Sequence, residues 1–248
     1  MKTAAFIFDV DGTLAETEEA HRQAFNSTFA AAGLDWHWDA PLYGELLKVT
    51  GGKERIRAFL ERAYPGVVMS DESIASLHRQ KTKAYGDIIV GGGVPLRPGV
   101  RELIQFAKLQ GIKTAVATTT NLPNVDALCI ACWGEPAGAV FDVIAAGDEA
   151  PRKKPAPDIY TIALDRLGLG PDCCVAFEDS RNGLLAAKAA GLRVVITPSQ
   201  YSKGEDFAEA DALLTDLSEF NADGRLLPSN AAKRRMTASK DGALPTGT

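Results

Sequence analysis

Ala4-Ala5-Phe6-Ile7-Phe8-Asp9-Val10-Asp11-Gly12-Thr13 opens the chain with an apolar run that stops at two carboxylates and a glycine. An apolar stretch this short, ended by turn-forming residues, is how a strand buried on both faces reads. Gly12 permits an abrupt turn of the backbone directly after the pair, so Asp9 and Asp11 can face one site. Two aspartates at a strand end can also do no more than form a turn, and the rest of the chain decides between these readings.

Beyond this strand the spacing of apolar residues becomes helical over 16–32, 40–48, 53–64 and 71–87, with no strand signal between them. Gly91-Gly92-Gly93 and Pro95 then read as a flexible return. After Pro98 the rhythm alternates: helices are predicted over 99–110, 122–132, 157–167 and 180–190. Strands are predicted over 113–118, 140–145, 173–177, 193–197 and 211–214. The fold class is therefore α/β, a Rossmann-like doubly wound parallel sheet with an α-helical cap inserted after the first strand. Ligands of such a sheet sit at the carboxyl ends of its strands. The expected division is a core of residues 1–15 and 94–227, a cap of 16–93 and a disordered tail of 228–248. The tail carries Lys233-Arg234-Arg235 among Ser, Thr, Gly and Pro, with little to bury.

The 248 residues suffice for one large core, or for a core with a small accessory module. A hydrophobic share of 46% and a charged share of 24% are those of a packed globular protein. The net charge of -5 provides no global field for nucleic acid. The first apolar run meets Asp9 too soon to act as a signal sequence or membrane span, so a cytoplasmic protein without a membrane partner is expected. Cys129 and Cys132 form a C-x-x-C spacing and Cys173-Cys174 a vicinal pair. With no second C-x-x-C and no histidine nearby, reduced packing thiols are expected rather than a zinc site. No heptad seam is present, and a monomer is expected.

Four pieces supply chemistry. A carboxylate such as Asp9 can attack a phosphoryl group to form an aspartyl phosphate, provided a cation offsets the repulsion between anions. Asp11 can protonate the departing alkoxide and later take a proton from water. The second strand ends in Thr118-Thr119-Thr120-Asn121, hydroxyls and a helix start whose free N–H groups favour phosphate. Lys154, ahead of Pro155 and Pro157, can neutralise phosphate and Asp9 together. Glu178 and Asp179, ending a later strand, are hard oxygen donors suited to Mg²⁺. Each piece lies at the end of a successive strand, in the order that phosphoryl transfer can use. A fifth segment, Lys48-Val49-Thr50-Gly51-Gly52-Lys53-Glu54-Arg55, offers glycine-freed amides and cations at a helix start. It reads either as an anion nest or as an interhelical turn.

In these motifs, Asp9-Val10-Asp11-Gly12-Thr13, Thr118, Lys154-Pro155 and Glu178-Asp179 with Gly183, the chain resembles the haloacid dehalogenase superfamily over about residues 1–220. The resemblance implies Asp9 as nucleophile, Asp11 as acid/base, and Thr118 and Lys154 as catalytic partners. It implies Mg²⁺ held by Asp9, the Asp11 carbonyl and Asp179, with Glu178 as second acid. The dehalogenase branch lacks the second aspartate, which argues against dehalogenation. The segment from Ala15 to His21 is similar to the family's lead into its cap, with Glu16 where an aspartate is usual, and this turns Glu18 and His21 toward substrate. The 48–55 loop resembles that of the CbbY-like phosphatases, which remove phosphate from xylulose 1,5-bisphosphate, an inhibitor of Rubisco in carbon fixation. That likeness implies a distal phosphate on Lys48, Thr50, Gly51, Gly52, Lys53 and Arg55, with Glu18 and Tyr43 on sugar hydroxyls and Thr119 and Asn121 at the core side. A mutase of the β-phosphoglucomutase type shares every one of these motifs. A non-catalytic phosphosugar binder would be expected to lack Asp9, Asp11 or Lys154, all of which are present.

Overall fold

The computed structural model describes residues 3–92 and 94–220; the tail predicted over 228–248 lies outside them. Strand β1 (Ala5–Phe8) is followed by four helices, α1 (Glu18–Ala31), α2 (Ala40–Leu46), α3 (Gly52–Ala63) and α4 (Asp71–Gly92). The chain then alternates through α5 (Val100–Gln110), β2 (Lys113–Thr118), α6 (Leu122–Trp133), α7 (Ala137–Val140), β3 (Val143–Ala146) and α8 (Asp158–Leu167). It ends in β4 (Cys174–Glu178), α9 (Arg181–Ala189), β5 (Arg193–Ile196) and β6 (Ala212–Leu213). The six strands form one sheet in the order β3-β2-β1-β4-β5-β6, and every pairing is parallel. β1 lies inside the sheet where the winding changes direction, the place at which an open α/β sheet leaves a crevice.

The alternation of a strand's side chains explains why β1 is apolar at each position. Phe6 and Phe8 enter one layer with Val100 and Ile104 of α5 and Val125 and Leu128 of α6. Ala5 and Ile7 enter the other with Ile159 and Tyr160 of α8 and Leu184 of α9. All four are fully buried, and a phenylalanine removed from water this way contributes about 1.5–3 kcal/mol. Helices α1 to α3 and the first part of α4 gather a further core of their own around Phe25, Phe29, Trp38, Ile56 and Leu77.

Two elements depart from the sequence reading. The strand predicted from residue 140 begins at Val143, because Pro136 starts a helical turn, α7, that plugs Val140 and Phe141 into the first layer. Helix α4, predicted to end at 87, runs to Gly92: Tyr85 and Ile89 pack against Ala20 and Ala24 of α1, and this burial carries the helix through two glycines of the expected linker. Among the described residues no helix is long and apolar enough to cross a membrane. The four cysteines are free thiols; burial raises Cys129, Cys132 and Cys174 above the ordinary range.

Candidate active site

The Asp9 amide still donates to the Phe177 carbonyl, at 3.0 Å, so the first residue past β1 is held by the sheet ladder. The chain then turns at Gly12, whose φ of 81° lies in the left-handed region; a Cβ there would stand 2.3 Å from Asp179 Oδ2. Lys154 Nζ donates to Asp9 Oδ1 at 2.6 Å and to Glu178 Oε1 at 2.5 Å, and the Tyr160 hydroxyl donates to the same Glu178 oxygen at 2.5 Å. Burial, reinforced by the charges of Glu178 and Asp11, pushes the Asp9 carboxyl up to about 8 against the opposing pull of Lys154. Asp179 is likewise driven well above the carboxylate range by burial and by its neighbours Asp9 and Glu178. For Lys154, burial works against the charged form, but the two carboxylates outweigh it and hold the ammonium above its ordinary value.

Asp9, Glu178 and Asp179 each present an oxygen within 4.8 Å of the others, and Glu178 Oε2 is buried without a hydrogen-bond partner. Three crowded carboxylates with one lysine between them are an arrangement that a hard divalent cation relieves. Glu178 does not line the cavity: it lies behind Lys154, with one oxygen committed to Lys154 and Tyr160. The Asp11 carboxylate is absent from the cluster, so any share of Asp11 in the metal falls to its backbone carbonyl.

The Asp11 carboxylate turns toward the helical insert. Its Oδ1 accepts from Thr17 Oγ1 at 2.6 Å and from His21 Nε2 at 2.9 Å. A carboxylate only accepts, so Nε2 carries the proton; Nδ1 then accepts from Lys81 Nζ at 2.5 Å, and Tyr85 stacks on the imidazole at 4.0 Å. Burial alone would raise Asp11, but its partner His21 and the hydrogen bond from Thr17 hold it well below the usual carboxylate range. Burial pushes Lys81 down to about 7.

A cavity of about 340 Å³ opens between these groups and the insert. It is lined on the core side by Asp9, Asp11, Thr118, Thr119, Asn121, Lys154 and Asp179, and on the insert side by Glu18, His21, Thr50, Gly51, Gly52, Lys53 and Arg55. The two sides are joined: Lys53 Nζ meets Asp148 at 2.6 Å, Asn182 Nδ2 donates to Thr50 Oγ1 at 3.0 Å, and Asn121 Nδ2 donates to Thr82 Oγ1 at 3.0 Å. Two expected contacts are not on its wall. Lys48 points to solvent and pairs with Glu45 at 2.8 Å, because α2 ends with that face outward. Tyr43 is fully buried one layer back, where its hydroxyl donates to Glu18 at 2.7 Å and accepts from Arg55 at 3.1 Å; it braces Glu18 rather than lining the cavity.

Several lining residues were given no role: Lys153 and Asn182, which sit inside the lysine and carboxylate motifs beside Lys154 and Asp179, and Lys81 and His78, which lie in no motif. Of the last two, Lys81 had a sequence signal, since it falls on the stripe Ile74, Leu77, Tyr85, Ile89 that α4 buries.

Comparison with known proteins places this geometry. The chain is 59% identical over 218 residues to Protein CbbY of Rhodobacter capsulatus, covering 88% of this chain and 95% of that protein. It is 45% identical over 217 residues to a CBBY-like protein of Arabidopsis thaliana, covering 85% and 68%. Among solved structures it superposes with a TM-score of 0.85 on CbbY of Rhodobacter sphaeroides, a variant in complex with xylulose 1,5-bisphosphate, at 54% identity and covering 88% and 96%. The family model described as haloacid dehalogenase-like hydrolase matches residues 3–191, which span β1, the helical insert, β2 with Thr118, and the segments after β3 and β4 that carry Lys154 and Asp179. An aspartate pair at the end of β1, a lysine reaching the first of them and a carboxylate cluster beside it thus have their explanation in descent as well as in chemistry: the chain belongs to the haloacid dehalogenase-like hydrolases.

Proposed function

We propose that this protein is a Mg²⁺-dependent sugar-bisphosphate phosphatase acting through Asp9, with xylulose 1,5-bisphosphate as substrate and xylulose 5-phosphate and phosphate as products. The observation that carries the reading is the two-ended cavity: Asp9 and Lys154 stand at one end, Lys53 and Arg55 on the facing wall of the insert. A substrate with a phosphate at each end finds a cation at each. The complex of the Rhodobacter sphaeroides relative with xylulose 1,5-bisphosphate supports the choice of sugar.

Asp9, Asp179 and the Asp11 carbonyl would hold Mg²⁺, which supplies charge neutralisation as an anionic nucleophile meets a phosphate. In the first half-reaction an Asp9 oxygen bonds to phosphorus, the bond from phosphorus to the sugar oxygen breaks, and Asp11 gives its proton to that oxygen. In the second, Asp11 takes a proton from water, the water oxygen bonds to phosphorus, and phosphate leaves Asp9. Lys154 holds Asp9 in place and offsets charge on the transferred group. The hydrogen bonds from Thr17 and His21 keep Asp11 ionised in the arrangement seen here, the form that the second half-reaction needs. For the first, Asp11 leaves these donors, takes a proton from solvent and presents it to the leaving sugar oxygen, and the proton taken from water in the second half-reaction restores it. Glu18, oriented by Tyr43, faces the sugar hydroxyls. The helical insert acts as a cap that holds substrate at both ends and excludes water, which gives orientation without a reactive group of its own.

The test is phosphate release with Mg²⁺ from xylulose 1,5-bisphosphate, ribulose 1,5-bisphosphate and β-glucose 1-phosphate. The highest kcat/KM is expected for xylulose 1,5-bisphosphate. An isomerised phosphosugar with no net phosphate would replace this reading with a mutase.

A further inference from the structure

The segments that lead into and out of the helical insert meet beside Arg97. Ala15 and Leu96 form an antiparallel bridge, and the Arg97 amide donates to the Leu14 carbonyl at 2.8 Å. From this seam the Arg97 side chain, 9% exposed, runs inward. Its Nη1 donates to the carbonyl of Gly12 and, at 2.6 Å, to that of Thr197; its Nη2 donates to the Pro198 carbonyl at 2.9 Å and the Thr215 carbonyl at 3.4 Å. The carboxylate of Glu16 stands 3.6 Å from Nε and is 40% exposed. A guanidinium this deep is satisfied mainly by neutral carbonyls. Its rigid fork reaches several chain segments at once, a task that the point charge of a lysine cannot duplicate.

These acceptors converge on the reacting groups. Gly12 follows Asp11 in the chain. Thr197 and Pro198 lead to Ser199, whose Cβ is 2.8 Å from where a Gly12 Cβ would stand, and Ser202 donates to the Asp179 carbonyl at 2.7 Å. The loop carrying Asp11 and the loop backing Asp179 therefore touch with no room for a methyl group, and Arg97 is fastened to both.

We infer that Arg97 is a positioning residue: by tying the Gly12 carbonyl to those of Thr197 and Pro198, it fixes the peptide that carries Asp11. The inference rests on the reading of Asp11 as the acid that protonates the leaving group. A misplacement of about 1 Å in such a group costs about a hundredfold in rate.

The experiment compares kcat/KM for phenyl phosphate and p-nitrophenyl phosphate, neither of which carries a second phosphate to engage the insert. Loss of phenolate depends on the proton far more than loss of p-nitrophenolate, and kcat/KM reports the transition state relative to free enzyme and substrate. Arg97→Gln is expected to lose about tenfold to a hundredfold on phenyl phosphate, and distinctly less on p-nitrophenyl phosphate. Arg97→Lys is expected to fall between wild type and Arg97→Gln with the same ordering, and it decides the matter alone if Arg97→Gln does not fold. An unchanged rate on phenyl phosphate, or equal losses on both esters, overturns the inference. Asp11→Asn serves as the reference: a steep dependence on the leaving group there beside a flat one at Arg97 overturns the positioning role alone. A flat dependence at Asp11 removes the acid assignment and the inference with it.

Discussion

Lys81 sits where α4 would otherwise place an aliphatic residue, buried among Ile74, Leu77, Tyr85 and Ile89, with its ammonium 4.7 Å from the Phe25 ring and hydrogen-bonded to His21. Burial lowers it from 10.5 to about 7, and the sign of the consequence follows. Below about pH 7 the lysine holds its proton folded or unfolded, and the burial penalty is present in full. Between about 7 and 10.5 the unfolded chain binds a proton that the folded one does not, so this contribution to stability rises with pH. Lys81→Met removes the penalty: denaturant unfolding across about pH 6 to pH 10 should show the variant gaining most at the acid end, with the difference from wild type shrinking toward the alkaline end. A difference independent of pH would mean that Lys81 keeps its charge throughout. The same residue shows what a sequence does and does not disclose. Helical spacing marks Lys81 as inward-facing, but its partner His21 is sixty positions away, and only the docking of α1 against α4 brings them together. Asp9, Asp11 and Thr118 were legible because each lies at or just past the end of a strand, where local sequence fixes the direction in which the chain leaves the sheet. Tyr43 and Lys48 were not, because their surroundings depend on how α2 packs.

At the scale of elements, the start of α3 shows why a loop can carry specificity. The loop from Thr50 to Lys53 is wedged between α4 and the core: a Cβ on Gly52 would stand 2.4 Å from His78 Nε2, while Asn182 of α9 holds Thr50 and the Lys48 carbonyl. The glycine is favoured by close approach of a neighbouring side chain rather than by an unusual φ. Gly52→Ala should therefore displace His78 or the loop and raise KM for a sugar bisphosphate about tenfold, or about 1.4 kcal/mol. kcat/KM for p-nitrophenyl phosphate should stay unchanged. Equal effects on both substrates would show that the loop supports the fold and not the distal phosphate. The glycine pair and its flanking cations were readable in the sequence as an anion nest or a turn. The His78 contact was not, since it joins α3 to a helix that begins nineteen positions later.

For the whole molecule, the carboxylate cluster sets folding against function. Asp9, Glu178 and Asp179 are buried together, and burial and mutual repulsion push Asp9 up to about 8 and Asp179 well above its ordinary value. Deprotonation of Asp9 thus costs the folded state stability as pH rises from its unfolded value toward about 8. Mg²⁺ at the cluster reverses that cost. Thermal unfolding should show a higher Tm with Mg²⁺ than with chelator, the gain growing from about pH 6 to about pH 8. Asp179→Asn should be more stable than wild type in chelator and respond little to Mg²⁺. A Tm indifferent to Mg²⁺ in the wild type would place the ion elsewhere. The α/β class and the site of the insertion followed from the change in rhythm after β1, whereas α7 and the last turn of α4 did not, since tertiary burial decided both.

The seam at Ala15 and Leu96 has one more consequence. The helical insert leaves the sheet and rejoins it through neighbouring, mutually paired residues, with a core separate from the two layers around the sheet. In topological terms it is a plug-in, since both ends of the graft share one socket, and beyond that socket it rests on the core where Tyr85 and Ile89 of α4 meet Ala127 of α6. The residues that face the cavity from the insert can therefore change without any strand of the sheet being interrupted.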